Sequence, residues 1–447
     1  MLSLALRRRV ALPRIPGASS AFPRRIVNSQ NIPFFQRKDL ACYFSINARQ
    51  NQSIVENEFG SAQAEPTAFS DDKAITVQWP DKTPAKFLNL WLRDHCQCSA
   101  CVHQDTKQRL LDSFALPRDI YAKAVIPSPK GLHVKWNSDG HESIYDWDWL
   151  HLHRHFPKRP MHDHELPSFK LWGSEIRNSP PTVQYKDIMS SEEGVGGWLM
   201  SIHRFGFASV EGCPASPEAT EELLERISFI RHTHYGGFWD FTSDLASKDT
   251  AYTSLALNAH TDTTYFSDPA GLQLFHLLSH TQGEGGASLL VDGFRAAHIL
   301  KKEAPEAYRI LSQVRVPSHA SGNEGISIQP YTSFPILNHH PVTGELIQVR
   351  WNNDDRATMD EWENEEDVER WYDAARKWAN ILRREESEYW EQLQPGRPLI
   401  FDNWRILHGR SAFTGKRRLC GGYINRDDFI SRLRMTNWNR EQILKAL

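Results

Sequence analysis

The chain has 447 residues, of which 40% are apolar and 24% charged, and its formal net charge is −3. This composition is typical of a globular protein and excludes a disordered or fibrous chain, while the balanced charge argues against binding of nucleic acid through a basic face. No uncharged apolar run reaches the roughly 18 residues of a transmembrane helix, so neither nucleic acid nor a membrane is an expected partner.

The amino-terminal segment is rich in arginine. Its first 38 residues contain seven Arg, no Asp and no Glu, and Leu and Val residues lie between the charges. This pattern is typical of a mitochondrial transit peptide, and the alternative is a disordered basic tail on a cytosolic protein. We therefore predict a transit peptide over residues 1–45, a location in the mitochondrial matrix, and a polar linker over residues 46–72.

A block of short alternating segments follows the predicted linker. Residues 74–79, 87–92 and 132–136 have the alternation of β-strands and are separated by turn residues. They predict a small β-rich amino-terminal domain over residues 73–156. The His- and Pro-rich stretch after it predicts a second linker, residues 157–175.

Three of the six cysteines, Cys96, Cys98 and Cys101, fall within six positions. Thiolates this close together can bind one zinc ion, and the clustering favours a metal site in a reducing compartment over a disulfide framework. A structural zinc site needs a fourth ligand. We choose His141, in a predicted turn after a hairpin strand. The alternative fourth ligands are His95 and His103.

Residues 176–447 mix helical and strand patterns. Helical periodicity and start signals predict helices over 183–204, 217–231, 293–314 and 365–393. Apolar segments predict strands over 251–261, 272–278, 288–291, 346–351, 398–402 and 419–424. Many short strands with a few flanking helices predict an α+β, mainly β fold, in which this second domain is a double-stranded β-helix, or jelly roll.

The segment His260-Thr261-Asp262 has the pattern of a metal site. Side chains two positions apart on a strand point to the same face, so His260 and Asp262 are expected to converge. A distant histidine would complete a 2-His-1-carboxylate triad, which suits non-haem Fe(II) with three open positions. His408, expected where the chain leaves an apolar strand, is the predicted third ligand. A pair of surface residues on a strand is the alternative.

An arginine near the third ligand indicates what would fill the open positions. Arg417 lies on the predicted strand that leads to Tyr423, and its guanidinium can bind a carboxylate through two hydrogen bonds. A keto acid that chelates iron, such as 2-oxoglutarate, needs such a partner for its far carboxylate. Arg418 points to the opposite face of a regular strand, and we prefer Arg417 because it is in phase with Tyr423.

Four aromatic residues lie close to these motifs in the sequence. They are Tyr235, Trp239, Tyr252 and Tyr423. A quaternary ammonium group cannot donate hydrogen bonds and is bound by the faces of aromatic rings, so these residues could form a cage for it. The alternative is that they are ordinary core residues, because aromatics are 11% of this chain.

The motifs together resemble the γ-butyrobetaine/trimethyllysine family of 2-oxoglutarate-dependent dioxygenases, the hydroxylases of carnitine biosynthesis. The resemblance runs from about Ile75 to Arg434. The segments that carry it are Trp91 to Cys101, Asp249 to Thr253, Asn258 to Phe266, Leu290 to Phe294, Asp402 to Arg410 and Phe413 to Gly421. The first of these is similar to the opening of the family's zinc-bearing amino-terminal domain.

The resemblance implies a role for each matching residue. The implied iron ligands are His260, Asp262 and His408, and the zinc ligands are Cys96, Cys98, Cys101 and His141. The implied 2-oxoglutarate contacts are Arg417 and Ser288, which stands where relatives usually have Thr. The implied substrate contacts are Tyr235, Trp239, Tyr252 and Tyr423 for a trimethylammonium group, and Asn352 for the carboxylate, with Asn353 as the alternative.

Asp249 bears on the choice of substrate. The resemblance implies that γ-butyrobetaine hydroxylases have an amide at this position. A carboxylate here would instead pair with the α-ammonium of trimethyllysine. It would also repel a substrate that carries a carboxylate without an α-ammonium. The expected function is therefore Fe(II)- and 2-oxoglutarate-dependent hydroxylation of Nε-trimethyllysine at C3 to 3-hydroxy-trimethyllysine, the first step of carnitine biosynthesis. The alternatives are a γ-butyrobetaine hydroxylase and a non-catalytic jelly roll that binds methylated lysine.

The resemblance also implies the remaining partners. These are Fe(II) as the metal cofactor, 2-oxoglutarate and O2 as cosubstrates, ascorbate as reductant, structural zinc, and a small-molecule substrate. A homodimer that uses the zinc-bearing domain is expected by analogy with relatives.

Overall fold

The structure is a computed structural model that describes residues 66–80, 82, 84–138, 140–154, 166–242 and 253–445, all within one unit, Ala64–Leu447. The predicted transit peptide and most of the first predicted linker lie outside the described residues, as do Asp249 and Tyr252. Among the described helices, none combines the length and the apolar character needed to span a membrane.

The amino-terminal region contains two three-stranded antiparallel sheets, β1-β2-β3 and β4-β5-β6. Its elements are β1 (Thr67–Ser70), β2 (Ala74–Gln78), β3 (Ala85–Leu88), α1 (Asn89–Asp94), β4 (Ala122–Ser128), β5 (Gly131–Trp136), β6 (Glu142–Tyr145) and α2 (Trp147–Leu152). Inward-facing residues of both sheets, such as Val77, Phe87 and Trp136, share one buried cluster. The small β-rich domain therefore has its own core, and β1 begins inside the segment predicted as a linker.

The predicted strand over 87–92 is wrong beyond Leu88, where the chain turns into α1. Leu88 and Leu90 are exposed, whereas Leu92 is buried. The ring of Trp91 stacks on the rings of His95 and Trp149, with centroids 4.3 and 5.5 Å apart. The Trp91–His95 contact spans one helical turn and favours the helix, and the alternation of leucines does not reveal it.

The carboxyl-terminal region is built on two larger sheets, with strand orders β7-β8-β18-β11-β20-β9 and β10-β19-β12-β17. The strands of the first sheet are β7 (Thr182–Gln184), β8 (Phe207–Glu211), β9 (Trp239–Thr242), β11 (Leu272–Thr281), β18 (Leu399–Asp402) and β20 (Lys416–Ile424). Those of the second are β10 (Leu257–His260), β12 (Ser288–Asp292), β17 (Glu388–Glu391) and β19 (Ile406–Arg410). The predicted jelly roll is confirmed here, although the chain as a whole mixes α and β structure instead of being mainly β.

Helices cover both sheets. They are α3 (Tyr185–Ser190), α4 (Glu192–Phe205), α5 (Pro217–Glu225), α6 (Gly293–Glu303), α7 (Pro305–Gln313), α8 (Glu365–Leu382), α9 (Arg426–Asn437) and α10 (Arg440–Lys445). Short β-strands β13 (Arg315–Val316), β14 (Phe334–Pro335), β15 (Leu337–His339) and β16 (Leu346–Val349) form two further hairpin-like pairs. Residues of α4, α5 and α9 share a buried cluster with the six-stranded sheet, and residues of α6, α7 and α8 with the four-stranded sheet.

Two predicted helices are interrupted by identifiable residues. The helix predicted over 183–204 is divided at Ser191, whose hydroxyl caps α4 by accepting a hydrogen bond from Gly194 N at 2.9 Å. The helix predicted over 293–314 is divided at Ala304, because the following Pro305 disfavours helical geometry in the residue before it.

Two other predicted helices are too long. The helix predicted over 217–231 ends at Glu225. The helix predicted over 365–393 ends at Leu382, and Glu388–Glu391 forms the edge strand β17 against β12. Tyr389 is buried in that strand, whereas Trp390 is 44% exposed, which is the alternation of an edge strand.

A buried ion pair connects α6 to the start of β19. Arg405 donates from Nη2 and Nε to the carboxylate of Asp292 at 2.7 and 3.1 Å, and both side chains are almost fully buried. The same carboxylate caps α6 by accepting from the backbone of Phe294 at 3.1 Å. The two residues, which belong to the sequence motifs noted above, therefore fix the end of β12 and the chain that leads to His408.

Candidate active site

Paired strands bring three candidate metal ligands together. His260 ends β10 and His408 lies in the middle of β19, and the two residues are direct partners in the antiparallel register. Asp262 follows two residues after β10, with its Oδ1 3.3 Å from His260 Nε2 and 3.7 Å from His408 Nε2. The ligand atoms of all three lie within 4.8 Å of one another. His408 belongs to a strand of its own, not to the exit of the preceding strand as expected.

The second oxygen of the Asp262 carboxylate is held by the opposite sheet. Its Oδ2 accepts hydrogen bonds from Gln273 Nε2 on β11 at 2.7 Å and from the Tyr423 hydroxyl on β20 at 2.9 Å. This leaves Oδ1 directed at the two imidazoles. Gln273 is 1% exposed and was not predicted as a site residue. The sequence feature that could have identified it is the position of a glutamine within the apolar run of β11.

Hydrogen bonding and burial act differently on the two histidines. The ring Nδ1 of His260 lies 2.7 Å from the Asn258 carbonyl, so it donates there and leaves the Nε2 lone pair free. Burial lowers the pKa of His408 to about 3, which keeps its ring neutral. Burial alone would raise the pKa of Asp262, but His408 and His260 lower it well below its usual range. Burial alone would lower the pKa of His260, but its hydrogen bond to Asp262 raises it. Two histidines and one carboxylate are the donor set of non-haem Fe(II).

The backbone around Asp262 is fixed by two residues that sequence reasoning did not single out. Asn403 accepts from Asp262 N at 2.8 Å and donates from Nδ2 to the Asp262 carbonyl at 3.0 Å. Thr261 N donates to the Trp351 carbonyl at 2.7 Å, and Trp351 N donates to Thr261 Oγ1 at 3.0 Å. These reciprocal bonds set where the carboxylate points. Asn403 lies in a motif named above, but only the fold reveals its partner.

Arg417 is a buried cation whose guanidinium is incompletely paired. It is 1% exposed, and its Nε and Nη1 have no hydrogen-bond partner among the described residues. Burial, reinforced by Arg410, lowers its pKa to about 10. Gly286 approaches it so closely that a Cβ there would lie 2.9 Å from the guanidinium carbon. Unpaired donors in a tight buried space are what a bidentate carboxylate would satisfy.

The neighbouring candidates for the 2-oxoglutarate site lie as follows. Arg418 is exposed and pairs with Asp240, its Nε donating to Oδ1 at 2.9 Å. Ser288 begins β12, opposite Arg410 in the register with β19. The described residues that line the cavity with His260 and Asp262 include neither Arg417 nor Ser288. The structure thus buries Arg417 and exposes Arg418.

The cavity next to the triad has an aromatic wall. Tyr235, Trp239 and Tyr423 line it together with His260 and Asp262. The rings of Trp239 and Tyr423 meet edge to face, with centroids 6.4 Å apart. A further aromatic lining residue that was not predicted is Tyr265. The fourth predicted member of the cage, Tyr252, lies outside the described residues.

Polar side chains line another part of the same cavity. Asn352 belongs to this lining and Asn353 does not, and Asn352 Nδ2 donates to Asp355 Oδ2 at 2.8 Å. Two carboxylates that were not predicted, those of Asp354 and Asp355, also line the cavity. Asp249, which was expected to contact substrate, lies outside the described residues.

A second group of candidate metal ligands lies in the amino-terminal region. The Nε2 of His141 lies 3.3, 3.5 and 3.6 Å from the Sγ atoms of Cys96, Cys98 and Cys101. In a tetrahedron with Zn–S near 2.3 Å and Zn–N near 2.0 Å, sulfur and nitrogen would lie about 3.5 Å apart. The four ligand atoms therefore have the spacing of a closed zinc site, and Arg93 donates to Cys101 Sγ at 3.3 Å.

The alternative histidines lie outside this cluster and have other partners. His95 Nδ1 lies 2.8 Å from the Trp91 carbonyl. The His103 ring accepts a hydrogen bond from Thr106 N at 3.2 Å in an exposed turn. Burial raises the pKa of the Cys96 thiol to about 12, so a thiolate at this position requires a compensating cation.

Comparisons with known proteins agree with this arrangement. The taurine catabolism dioxygenase TauD, TfdA family model matches residues 164–423, and a model of the amino-terminal part of γ-butyrobetaine hydroxylase-like proteins matches residues 67–151. The jelly roll with its His/Asp/His cluster therefore defines an enzyme of the TauD/TfdA class of dioxygenases.

Individual relatives place the chain more narrowly. A trimethyllysine dioxygenase of Neurospora crassa is 53% identical over 89% of this chain and 90% of its own length. A mitochondrial trimethyllysine dioxygenase of Homo sapiens is 41% identical over 81% of this chain and 88% of its own. A γ-butyrobetaine dioxygenase of Homo sapiens is 32% identical over 81% of this chain and 94% of its own. The chain belongs to the trimethyllysine dioxygenase family.

Proposed function

We propose that this chain hydroxylates Nε-trimethyllysine at C3, using Fe(II), 2-oxoglutarate and O2, to give 3-hydroxy-trimethyllysine, succinate and CO2. The observation that carries the proposal is the cavity in which His260 and Asp262, two members of the cluster with His408, meet an aromatic wall. Its support from sequence is the higher identity to trimethyllysine dioxygenases than to the γ-butyrobetaine dioxygenase.

His260, Asp262 and His408 would hold the iron. When bound there, Fe(II) supplies the oxidising chemistry that activates O2 and breaks an unactivated C–H bond. The chain's own task is to fix the donor atoms. Gln273 and Tyr423 orient one oxygen of Asp262 away from the site, and this leaves the other oxygen for the metal.

Arg417 would bind the far carboxylate of 2-oxoglutarate. Its two unpaired nitrogens and its burial favour a fixed dianion over exchangeable water. Ser288, on the strand beside β19, would add a hydroxyl contact. The guanidinium of Arg417 packs against the Phe413 ring, with its carbon 5.0 Å from the ring centroid, and this contact would help to orient it toward the carboxylate.

The substrate would be oriented from both ends. Tyr235, Trp239 and Tyr423, with Tyr252, would surround the trimethylammonium group with ring faces. At the other end Asn352 would contact the carboxylate and Asp249 the α-ammonium. Holding both ends positions one C–H bond toward the iron, which is where the rate enhancement from orientation arises.

The amino-terminal domain would be stabilised by zinc and take no part in the chemistry. A closed site with three thiolates and one imidazole leaves no open position for a substrate. Its support is the spacing of Cys96, Cys98, Cys101 and His141. Removing zinc would therefore affect folding of this domain first.

The cellular setting follows from the same assignment. We infer a mitochondrial enzyme from the arginine-rich first 38 residues, together with the name of the human relative. The reaction would be the first step of carnitine biosynthesis, with ascorbate as the reductant that keeps iron ferrous. We also propose a homodimer in which the zinc-bearing domain forms the contact. Light scattering of the purified chain would measure the mass of the particle in solution and so test for the dimer.

The test is succinate formation by iron-loaded protein in 2-oxoglutarate and O2. Trimethyllysine and γ-butyrobetaine are compared in parallel, and the Asp262→Asn variant is the control for iron dependence. We expect succinate and hydroxylated product with trimethyllysine only. Preference for γ-butyrobetaine would retain the reaction and overturn the substrate. Bound iron without substrate-stimulated succinate from either compound would overturn the enzyme assignment in favour of a methyl-lysine-binding jelly roll.

A further inference from the structure

A second cavity lies next to the iron-site cavity, between β10 and the carboxyl-terminal half of α8. We call it the arginine pocket, after its three arginines, Arg356, Arg376 and Arg383. It shares a wall with the iron-site cavity, since His260, Asn352 and Asp354 line both. Among the described lining residues, three guanidinium groups face the single carboxylate of Asp354, so this lining is positive.

The basic residues in the second half of α8 and just after it differ in their ion pairing, according to the helix face on which they lie. Lys377 pairs with Asp373 at 2.6 Å, and Arg384 pairs with Glu303 at 2.6 Å. Arg376 and Arg383, seven positions apart and therefore on one face, line the arginine pocket. Neither of them has an acidic partner within 4.0 Å among the described residues, whereas their immediate neighbours in the sequence do.

Arg356 reaches the same pocket from the loop after β16. Its guanidinium carbon lies 5.3 Å from the Trp371 ring centroid and 5.8 Å from that of Tyr372, so aromatic rings hold it in place. Its Nε is buried without a hydrogen-bond partner among the described residues. A cation held this way is preorganised, and no acidic side chain pairs with it in the part of the chain that the structure describes.

We propose that the arginine pocket binds a small organic anion with two or three carboxylates. Guanidinium groups recognise carboxylates through paired hydrogen bonds, and three of them around one cavity fit several carboxylates on one molecule. The ring of Trp351, which also lines the pocket, adds an apolar surface for the carbon frame of such an anion. This site is separate from the one around Arg417, and the proposal does not depend on the identity of the substrate.

The test is calorimetric titration with benzene-1,3,5-tricarboxylate, whose carboxylates are too far apart to chelate one metal ion. The full-length iron-loaded protein is kept in saturating 2-oxoglutarate, so that the Arg417 site is filled, at 0.15 M salt to screen weak surface binding. The double variant R376Q/R383Q is compared with K377Q/R384Q. Both remove two positive charges from exposed or half-exposed positions of the same helix end, but only the first pair lines the pocket.

We expect wild-type protein and K377Q/R384Q to bind the tricarboxylate with the same Kd, and R376Q/R383Q to bind it about tenfold or more weakly, because two charge-assisted contacts are lost. Benzoate, with one carboxylate, should bind far more weakly. Equal weakening in both double variants would show that binding depends only on the net charge of the protein, and this would overturn the proposed binding site. Absence of binding to wild type, or binding of inorganic phosphate but not the tricarboxylate, would overturn the proposed ligand class.

Discussion

Tyr423 serves the candidate site with two separate parts of its side chain. Its ring belongs to the aromatic wall, while its hydroxyl donates to Asp262 Oδ2 at 2.9 Å. Replacing it with Phe removes only the hydroxyl. We expect iron to bind about tenfold more weakly, because groups that orient a metal ligand typically affect affinity to that extent. Iron titration of apo-protein measures this, and KM for trimethyllysine should change little.

Tyr235→Phe is the matched control, since it makes the same chemical change in the same cavity. We expect it to leave iron affinity at the wild-type value. If Tyr423→Phe instead raised KM for the substrate and left iron binding unchanged, the hydroxyl would act on the substrate and not on Asp262.

Asp249 is the residue on which substrate choice is expected to depend. Asp249→Asn removes the proposed partner of the α-ammonium, and a lost charge pair of about 2 kcal/mol corresponds to a decrease of about tenfold or more in kcat/KM for trimethyllysine. Turnover of γ-butyrobetaine, which lacks that ammonium, should be retained or rise. Asp240→Asn, which breaks an exposed pair with Arg418, is the control. Equal kcat/KM for trimethyllysine in wild type and Asp249→Asn would refute the role of Asp249.

At the residue scale, sequence reasoning identifies groups whose chemistry is unusual and misses those whose role depends on a partner. His260, Asp262 and His408 are recognisable because histidine and aspartate near strands suggest metal. Gln273 and Asn403 are ordinary amides until the fold brings each of them to Asp262. Their importance is a property of the contact, which no spacing along the chain expresses.

Among the elements, the buried Arg405–Asp292 pair offers a test of what holds the jelly roll around His408. Arg405→Met would remove the cation and leave a buried carboxylate without its partner, which typically costs about 3–5 kcal/mol. We expect a large fall in the denaturation midpoint of the catalytic domain. Asp240→Asn breaks the exposed Arg418 pair and should cost at most about 1 kcal/mol.

Urea unfolding followed by circular dichroism compares the two variants. A small, equal change in both would mean that burial of the Arg405–Asp292 pair contributes little. The slope of the transition is also to be compared, because a changed slope would indicate that the two-state description no longer holds.

The elements themselves were predictable where local signals were strong. The strands β11, β12, β18 and β20 were expected from their apolar runs, and the helix starts at Pro217 and Gly293 from their capping residues Ser216 and Asp292. Helix ends were missed. The end of α8 at Leu382 has no glycine or proline to mark it, and β17 exists because β12 needs a partner, which is a tertiary requirement.

At the scale of the whole molecule, two metals are proposed to support two separate cores. Cys98→Ser should abolish zinc binding, measured as zinc per chain by atomic emission, and lower the stability of the amino-terminal domain, because that domain has its own small core. Iron affinity of the catalytic domain should remain at the wild-type value.

Cys213→Ser is the control for loss of a thiol, because Cys213 is buried in the core beneath the six-stranded sheet and is outside the zinc-site cluster. It should keep a full zinc content. Loss of iron binding in Cys98→Ser would show that the two cores are not independent, and unchanged zinc content would remove Cys98 from the site.

The register that pairs His260 with His408 also has a consequence for how the chain acquires its metals. Three of the proposed zinc ligands lie within six residues of one another, so zinc could be captured by a nascent segment at little entropic cost. The proposed iron ligands meet only after β10 pairs with β19, 148 positions apart for His260 and His408, and contacts so distant in sequence are slow to form. Zinc uptake would therefore mark an early stage of folding, and iron uptake would mark its completion.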